Sequence, residues 1–219
     1  MTIIAEIGQN YCGNIGLARI LIKEAKENGA DLVKFQLFDS MKLYGDDEHP
    51  SPNREQAEEL FDYGAFCGIE VFFSVFDVER VKWCEEIGVK RYKIASSFRE
   101  NKKLRNTVEK TGKPILVSWD TYDYMPIPVK NTQFLFCIST YPAIPPLYLG
   151  LIYFPHCYQG FSDHTIGIDA AKLALARGAQ IIEKHFALDH LIGVDSEWSM
   201  TPIELEELKE WEKKVKELL

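Results

Sequence analysis

Glu70-Val71-Phe72-Phe73-Ser74, then Val78 to Ile87 closed by Gly88, then Arg91-Tyr92-Lys93-Ile94-Ala95 form one strand–helix–strand unit. The outer segments are short, apolar and rich in β-branched and aromatic residues. The middle one has helical composition and a glycine stop. Two strands joined by a helix run parallel. Working outward, the cycle recurs. Upstream stand Ile3-Ile4-Ala5-Glu6, a helix from Ile15 to Asn28 stopped by Gly29, Leu32-Val33-Lys34-Phe35-Gln36, and a helix from about Pro52 to Cys67 closed by Gly68. Downstream, a helix from Lys102 to Lys110, closed by Gly112, precedes Pro114-Ile115-Leu116-Val117-Ser118 and Phe134-Leu135-Phe136-Cys137-Ile138. A short Gly160-Phe161-Ser162, a helix from Ile168 to Arg177 ended by Gly178, and Ile181-Ile182-Glu183-Lys184-His185 follow. The last helix, Pro202 to Leu218, opens with Thr201 and Glu204 in a capping box. Leu17, Ile20, Leu21 and Ala25 predict the buried face of the first helix; Leu205, Leu208, Trp211, Val215 and Leu218 predict that of the last.

Eight strands with intervening crossovers predict an α/β fold, a compact (β/α)8 TIM barrel occupying residues 1–219 as a single domain. A doubly wound open sheet is the second choice. The fifth and sixth crossovers are shortened. Trp119 to Pro128 and Tyr141 to Gln159 are broken by prolines and read as loops covering that side of the barrel.

With 219 residues the chain has room for one substantial core, and 46% hydrophobic and 26% charged residues suit an ordinary globular protein. No apolar run approaches the ~20 residues that span a bilayer. The N-terminus lacks the basic-then-apolar layout of a signal peptide, so a cytoplasmic location is expected. The net charge of −8 argues against nucleic acid or a membrane as partner, though a local cluster of donors can still hold a small anion. Cys12, Cys67, Cys84, Cys137 and Cys157 are odd in number and unpaired in spacing, and read as buried reduced thiols.

Reactive groups of a barrel gather at the carboxyl ends of its strands. Those ends carry Glu6, Lys34 with Gln36, Ser74, Lys93 with Ser96, Ser118, Ser139 with Tyr141, Ser162 with His164, and Glu183 with His185. The pairs Lys34/Gln36, Ser162/His164 and Glu183/His185 each point to one side of their strand. Ionisable residues inside apolar strands cost several kcal/mol unless paired, so a functional site is a simpler account than eight separate structural ones. Two histidines on neighbouring strands with carboxylates nearby suit a borderline divalent metal; hydrogen-bonded core histidines are the plain alternative. Converging lysines and hydroxyls suit a phosphate plus a carboxylate, the alternative being stems packed inside with their heads at the rim. Asp46-Asp47-Glu48 reads as a solvated loop, and His49, His156 and His190 as surface or structural residues. Gly8 and Gly13 do not complete a dinucleotide fingerprint.

These strand-end residues resemble those of the sialic acid synthase family (N-acetylneuraminate synthase and its pseudaminic, legionaminic and spore-coat relatives). The matching segments are Ile4-Ala5-Glu6-Ile7-Gly8-Gln9-Asn10, Gly29 to Gln36, Lys93-Ile94-Ala95-Ser96, Thr111 to Ile115, Tyr141-Pro142, Ser162-Asp163-His164-Thr165-Ile166-Gly167, Ile182-Glu183-Lys184-His185-Phe186 and Gly193-Val194-Asp195. The resemblance implies condensation of phosphoenolpyruvate with the open-chain aldehyde of an N-acetylated amino sugar, giving a 2-keto-3-deoxy sugar acid and phosphate. It implies His164 and His185 as ligands of a divalent metal, Mn2+ first, with Mg2+ or Co2+ as alternatives. It places Lys34, Lys93, Ser74, Ser96, Ser118, Ser139 and Ser162 around phosphoenolpyruvate. Glu6, Gln36, Tyr141, Glu183 and Asp195 would surround the sugar aldehyde and the attacking water.

This chain departs from the family at Tyr11, where relatives have His, at Ser139, where Asn is usual, and in its shorter fifth and sixth crossovers. It is expected to be the catalytic barrel alone, without the downstream antifreeze-like domain that lends an arginine to a partner subunit. A homodimer through another contact, or a separate chain supplying the cover, would take that domain's place. Two further readings stay open: a related aldolase or lyase using Lys93 or Lys34 as a Schiff-base amine, and a degenerate barrel that binds a phosphosugar without turnover.

Overall fold

The computed structural model describes residues 1–120, 126–144, 152, 154 and 158–218. Eight parallel strands, β1 (Thr2–Gly8), β2 (Leu32–Leu37), β3 (Glu70–Val75), β4 (Tyr92–Ile94), β5 (Ile115–Trp119), β6 (Thr132–Cys137), β7 (Gly160–Asp163) and β8 (Ile181–His185), close in chain order into a barrel. The helices α1 (Ile15–Glu27), α2 (Ser40–Leu43), α3 (Arg54–Cys67), α4 (Val78–Ile87), α5 (Lys102–Glu109), α6 (Asp169–Ala176) and α7 (Pro202–Leu218) lie in the connections and after β8. The barrel is the predicted fold, and the doubly wound alternative falls away.

Side-chain direction on each strand follows from period two. Ile4, Leu32, Phe72, Leu116, Leu135 and Ile181 point inward and form a buried apolar floor. The alternate residues, among them Val33, Phe35, Val71, Phe73, Phe161 and Ile182, join the larger core between barrel and helices. Gly160 stands at the floor, where a Cβ would come within 2.2 Å of the Ile181 carbonyl oxygen and 2.8 Å of Leu135 Cδ2. Only a residue without Cβ lets β7 approach β8 this closely.

Helix starts are set by side chains that accept from otherwise unpaired N–H groups: Asn14 for α1, Asn53 with Gln56 in a full capping box for α3, Asp77 for α4 and Asn101 for α5. Thr201 and Glu204 form the expected box at α7. Two predicted faces are corrected. In α1 the buried set is Ala18, Leu21, Ile22 and Ala25 while Ile20 is exposed, because the i, i+3, i+4, i+7 spacing follows the 3.6-residue turn more closely. In α7 Leu218 is exposed, whereas Glu212 is buried and pairs with Lys209 and Lys216.

Residues 120–131 and 138–159 connect β5, β6 and β7, and no helix occurs in them among the described residues. Of the cysteines, Cys84 and Cys137 are buried and Cys67 is half-buried, but Cys12 is exposed, since it sits in the turn after β1 rather than in the core. Cys157 and His156 lie outside the described residues.

The two most specific motifs interleave site and scaffold. Between the inward pair Ser162 and His164 stands outward Asp163; between Glu183 and His185 stands outward Lys184. Lys184 Nζ donates to Asp163 Oδ2 at 3.0 Å and to the Thr165 carbonyl at 2.7 Å, with both side chains fully buried. Asp163 Oδ1 in turn accepts from Thr165 N at 2.9 Å, which fixes the turn carrying His164. Removing one partner of a buried pair strands the other charge. Lys184→Met is therefore expected to lower unfolding stability by about 3–5 kcal/mol in a urea melt; a loss below about 1 kcal/mol would mean the pair contributes little.

Candidate active site

The inward residues above the apolar floor are polar. A cavity of about 380 Å³ opens at the carboxyl end of the barrel, lined by Glu6, Lys34, Gln36, Ser74, Lys93, Ser96, Ser118, Tyr141, Ser162, His164, Glu183, His185 and Asp195. Every predicted site residue except Ser139 faces it. Ser139 is exposed past the end of β6, with its Oγ 2.7 Å from Ser96 Oγ and 3.8 Å from Cys137 Sγ, so it supports Ser96 instead.

Strand register explains the convergence. Glu6 pairs Lys34 on β2 and His185 on β8; Ser74 lies opposite both Gln36 and Lys93; Ser162 lies opposite Glu183. The result is a buried charge nest. Lys34 Nζ lies 2.5 Å from Glu6 Oε2, 3.5 Å from Glu183 Oε2 and 2.7 Å from Ser74 Oγ. Lys93 Nζ donates to Ser118 Oγ at 2.7 Å and to Glu183 Oε1 at 3.0 Å. Ser162 Oγ also donates to Glu183 Oε1, at 2.8 Å, and Gln36 Nε2 donates to Glu6 Oε1 at 3.0 Å.

Burial alone would raise the Glu183 carboxyl, but Lys34 and Lys93 on either side hold it far below the usual carboxylate range. Glu6 is driven the other way: burial and the nearby Glu183 charge raise it against the pull of Lys34. Burial would lower Lys34 too, yet Glu183 and Glu6 keep it above its ordinary value. Lys93 has Glu183 as its one close carboxylate, and burial with the neighbouring Lys34 charge pulls it down.

Two imidazoles cap this nest. His164 is pushed down to about 4 by burial, and His185 lies well below its ordinary value through burial and the His164 and Lys34 charges. Both are neutral near pH 7. His164 Nδ1 is 2.6 Å from the Ile138 carbonyl, to which it donates, leaving Nε2 with its lone pair 3.4 Å from Ser162 Oγ. His185 Nδ1 is buried 3.3 Å from Asp195 Oδ2 but makes no hydrogen bond. The two ring centroids are 5.9 Å apart. A hydrogen-bonded Nδ1 on one ring and an unpartnered buried nitrogen on the other are what ligation of a shared cation asks for. Among the described residues no three His, Cys, Asp or Glu form a metal-binding group, so such a cation would take two imidazoles here and its remaining ligands from water or substrate.

Asp195 is pushed up to about 7 by burial and by Glu6. Tyr141, its phenol raised far above the ordinary value by burial, lays its ring 4.2 Å from that of His164. Gly8 ends β1 beneath these groups with φ +53°, and a Cβ there would lie 3.0 Å from Glu6 Oε1 and 3.4 Å from Asp195 Oδ2. The chain bulges at this point, between Glu6 and Gly8.

Other participants were not legible in advance. Buried Asn10 donates to the Phe186 carbonyl and to Ser199 Oγ, each at 2.9 Å, and its Oδ1 accepts from Asp195 N at 2.8 Å. It ties the loop after β1 to the loop after β8 and thereby places Asp195. Gln9, Tyr44, His49 and Trp198 line the cavity. For His49 this replaces the surface reading. His190, read as a surface or structural residue, has Nε2 3.2 Å from Glu204 Oε2. Asp47 and Glu48 are exposed as expected.

Comparison with known proteins bears on this geometry. The sequence profile of the NeuB family matches residues 21–219. N-acetylneuraminate-9-phosphate synthase of Mus musculus is 33% identical over 242 aligned residues, covering 94% of this chain and 67% of that protein. N,N'-diacetyllegionaminic acid synthase of Campylobacter jejuni is 31% identical, over 94% of this chain and 73% of its own length. The crystal structure of N-acetylneuraminic acid synthetase from Leptospira borgpetersenii superposes with a TM-score of 0.89 at 28% identity, over 99% of this chain and 84% of that one. A truncated 3-deoxy-D-arabino-heptulosonate 7-phosphate synthase from Thermotoga maritima, at 14% identity and TM-score 0.71, shares the barrel fold. The profile match runs from α1 to the end of the chain and includes every predicted site residue except Glu6; this chain belongs to the NeuB family.

Proposed function

We propose that this chain condenses phosphoenolpyruvate with the aldehyde of an N-acetylated amino sugar, forming a carbon–carbon bond and releasing phosphate, with a divalent metal, Mn2+ first, at His164 and His185. The carrying observation is the stack at the barrel mouth: Lys34, Lys93 and four serine hydroxyls beneath two neutral imidazoles. When bound, the metal would supply Lewis acidity to the aldehyde carbonyl. The chain's own groups do the rest. Lys34 and Lys93, with Ser74, Ser96, Ser118 and Ser162, hold the phosphate and carboxylate of phosphoenolpyruvate and orient its enol carbon toward the mouth. Donors already fixed by the strands need little reorganisation as negative charge moves.

Glu183 stays ionised between the lysines and keeps their heads aimed. Glu6, with its raised affinity for a proton, can hold one at Oε2 beside Lys34 while Gln36 fixes Oε1. The Tyr141 hydroxyl stays protonated and can donate to the sugar oxygen. Asp195, anchored by Asn10, is placed to orient the sugar or the attacking water.

The related sialic, legionaminic and pseudaminic acid synthases support this reading. Phosphate release from phosphoenolpyruvate is expected to need both an amino-sugar aldehyde and the metal. Release with either one omitted, or with none of N-acetylmannosamine and its 6-deoxy and diamino analogues, would sink it.

A further inference from the structure

The outer wall of the cavity carries groups that the reaction above does not use. Gln9, on the turn after β1, places Oε1 3.2 Å from His49 Nδ1. The Tyr44 and His49 rings stack with centroids 3.7 Å apart and 22° between planes. Both come from the connection between β2 and α3, and both line the cavity with Gln36 and Asp195. An amide oxygen only accepts, so His49 Nδ1 is the donor of this contact. The wall therefore presents an imidazole, an amide and a phenol beside the Asp195 carboxyl. These are groups that bind hydroxyls and amide N–H.

The cations agree. Residues 121–125, 145–151, 153, 155–157 and 219 contain no Lys or Arg, so every one in the chain is described. Of these, Lys34 and Lys93 line the cavity, both deep in it, Lys34 committed to Glu6 and Glu183 and Lys93 to Glu183. On neighbouring elements, Lys42 turns to Asp39 at 2.8 Å and Arg99 to Asp120 at 2.6 Å. A phosphate at the outer wall would meet the Asp195 carboxyl and no free guanidinium or ammonium. Phosphate recognition ordinarily uses those cations.

Resting on the condensation reading, we propose that the sugar taken by this site is an uncharged polyhydroxy aldehyde without a terminal phosphate, recognised by the Gln9–Tyr44–His49 wall. The mouse relative, by its name, makes a 9-phosphate product; this chain selects against such a substrate.

The test pairs N-acetylmannosamine with N-acetylmannosamine 6-phosphate, with Mn2+ present, in calorimetric binding and in phosphate-release assays. The neutral sugar is expected to bind at least about tenfold more tightly, the scale of one charge-assisted contact. Gln9→Leu should raise its KM by roughly tenfold with the KM for phosphoenolpyruvate unmoved. His49→Arg should shift preference toward the 6-phosphate by a similar factor. Equal or tighter binding of the 6-phosphate by the unaltered protein, or binding of neither sugar, would overturn the proposal. Preferential binding of the neutral sugar without turnover supports it and sinks the condensation reading instead.

Discussion

Alanine at either His164 or His185 is expected to abolish stoichiometric manganese binding while leaving the barrel folded. With both rings neutral near pH 7, each offers a lone pair without first losing a proton. The Ile138 carbonyl orients the His164 ring through Nδ1, which leaves Nε2 as the ligating atom. Loss of a partner that merely orients a ligand weakens metal binding by about 10–100-fold, so loss of one of two protein ligands should exceed that. Neither ring belongs to the apolar floor or to the helix-facing core, and thermal unfolding should move by only a few degrees. Metal analysis after dialysis reads the first outcome, and a melting curve the second. One equivalent retained in both variants would show that the ligands lie elsewhere.

The barrel was legible because parity and turn signals repeat. Wherever a strand alternates, a residue's side of the sheet follows from its neighbours. Leu32 on the floor therefore puts Lys34 and Gln36 inside, and Ile181 does the same for Glu183 and His185. The same parity sends Asp163 and Lys184 outward, but their meeting needs the β7–β8 register, which one strand alone does not carry. Loops have no such rule. Tyr44 and His49 lie in the connection after β2, where no period ties a residue to a direction, so their place at the mouth became visible only with the fold. Gln9 follows the bulge at Gly8, which breaks the alternation of β1. Asn10 acts on Asp195, distant in sequence but joined to it by 2.8 Å. Ser139 fails for the same reason: it lies past the end of β6, where strand parity no longer holds.

Lys93→Met should cut phosphate release by at least about 10²–10³-fold, the usual cost of one preorganised donor to a charged transition state. Its effect on stability separates function from scaffold. The single change leaves Glu183 with Lys34 at 3.5 Å and Ser162 at 2.8 Å, so part of its charge stays compensated, and the loss should fall at or below the about 3–5 kcal/mol of a fully broken buried pair. Adding Glu183→Leu removes the stranded carboxylate. Buried ion pairs are often no more stabilising than apolar residues of similar volume, so the double variant should recover most of the melting temperature. Activity should not return, because neither apolar side chain can hold an anion above the floor of Ile4, Leu32 and Phe72. A double variant that still releases phosphate would remove Lys93 from the site. One that melts no higher than Lys93→Met would mean that the Lys93–Glu183 pair is part of what holds the barrel together, and the stability cost of the nest would need another account.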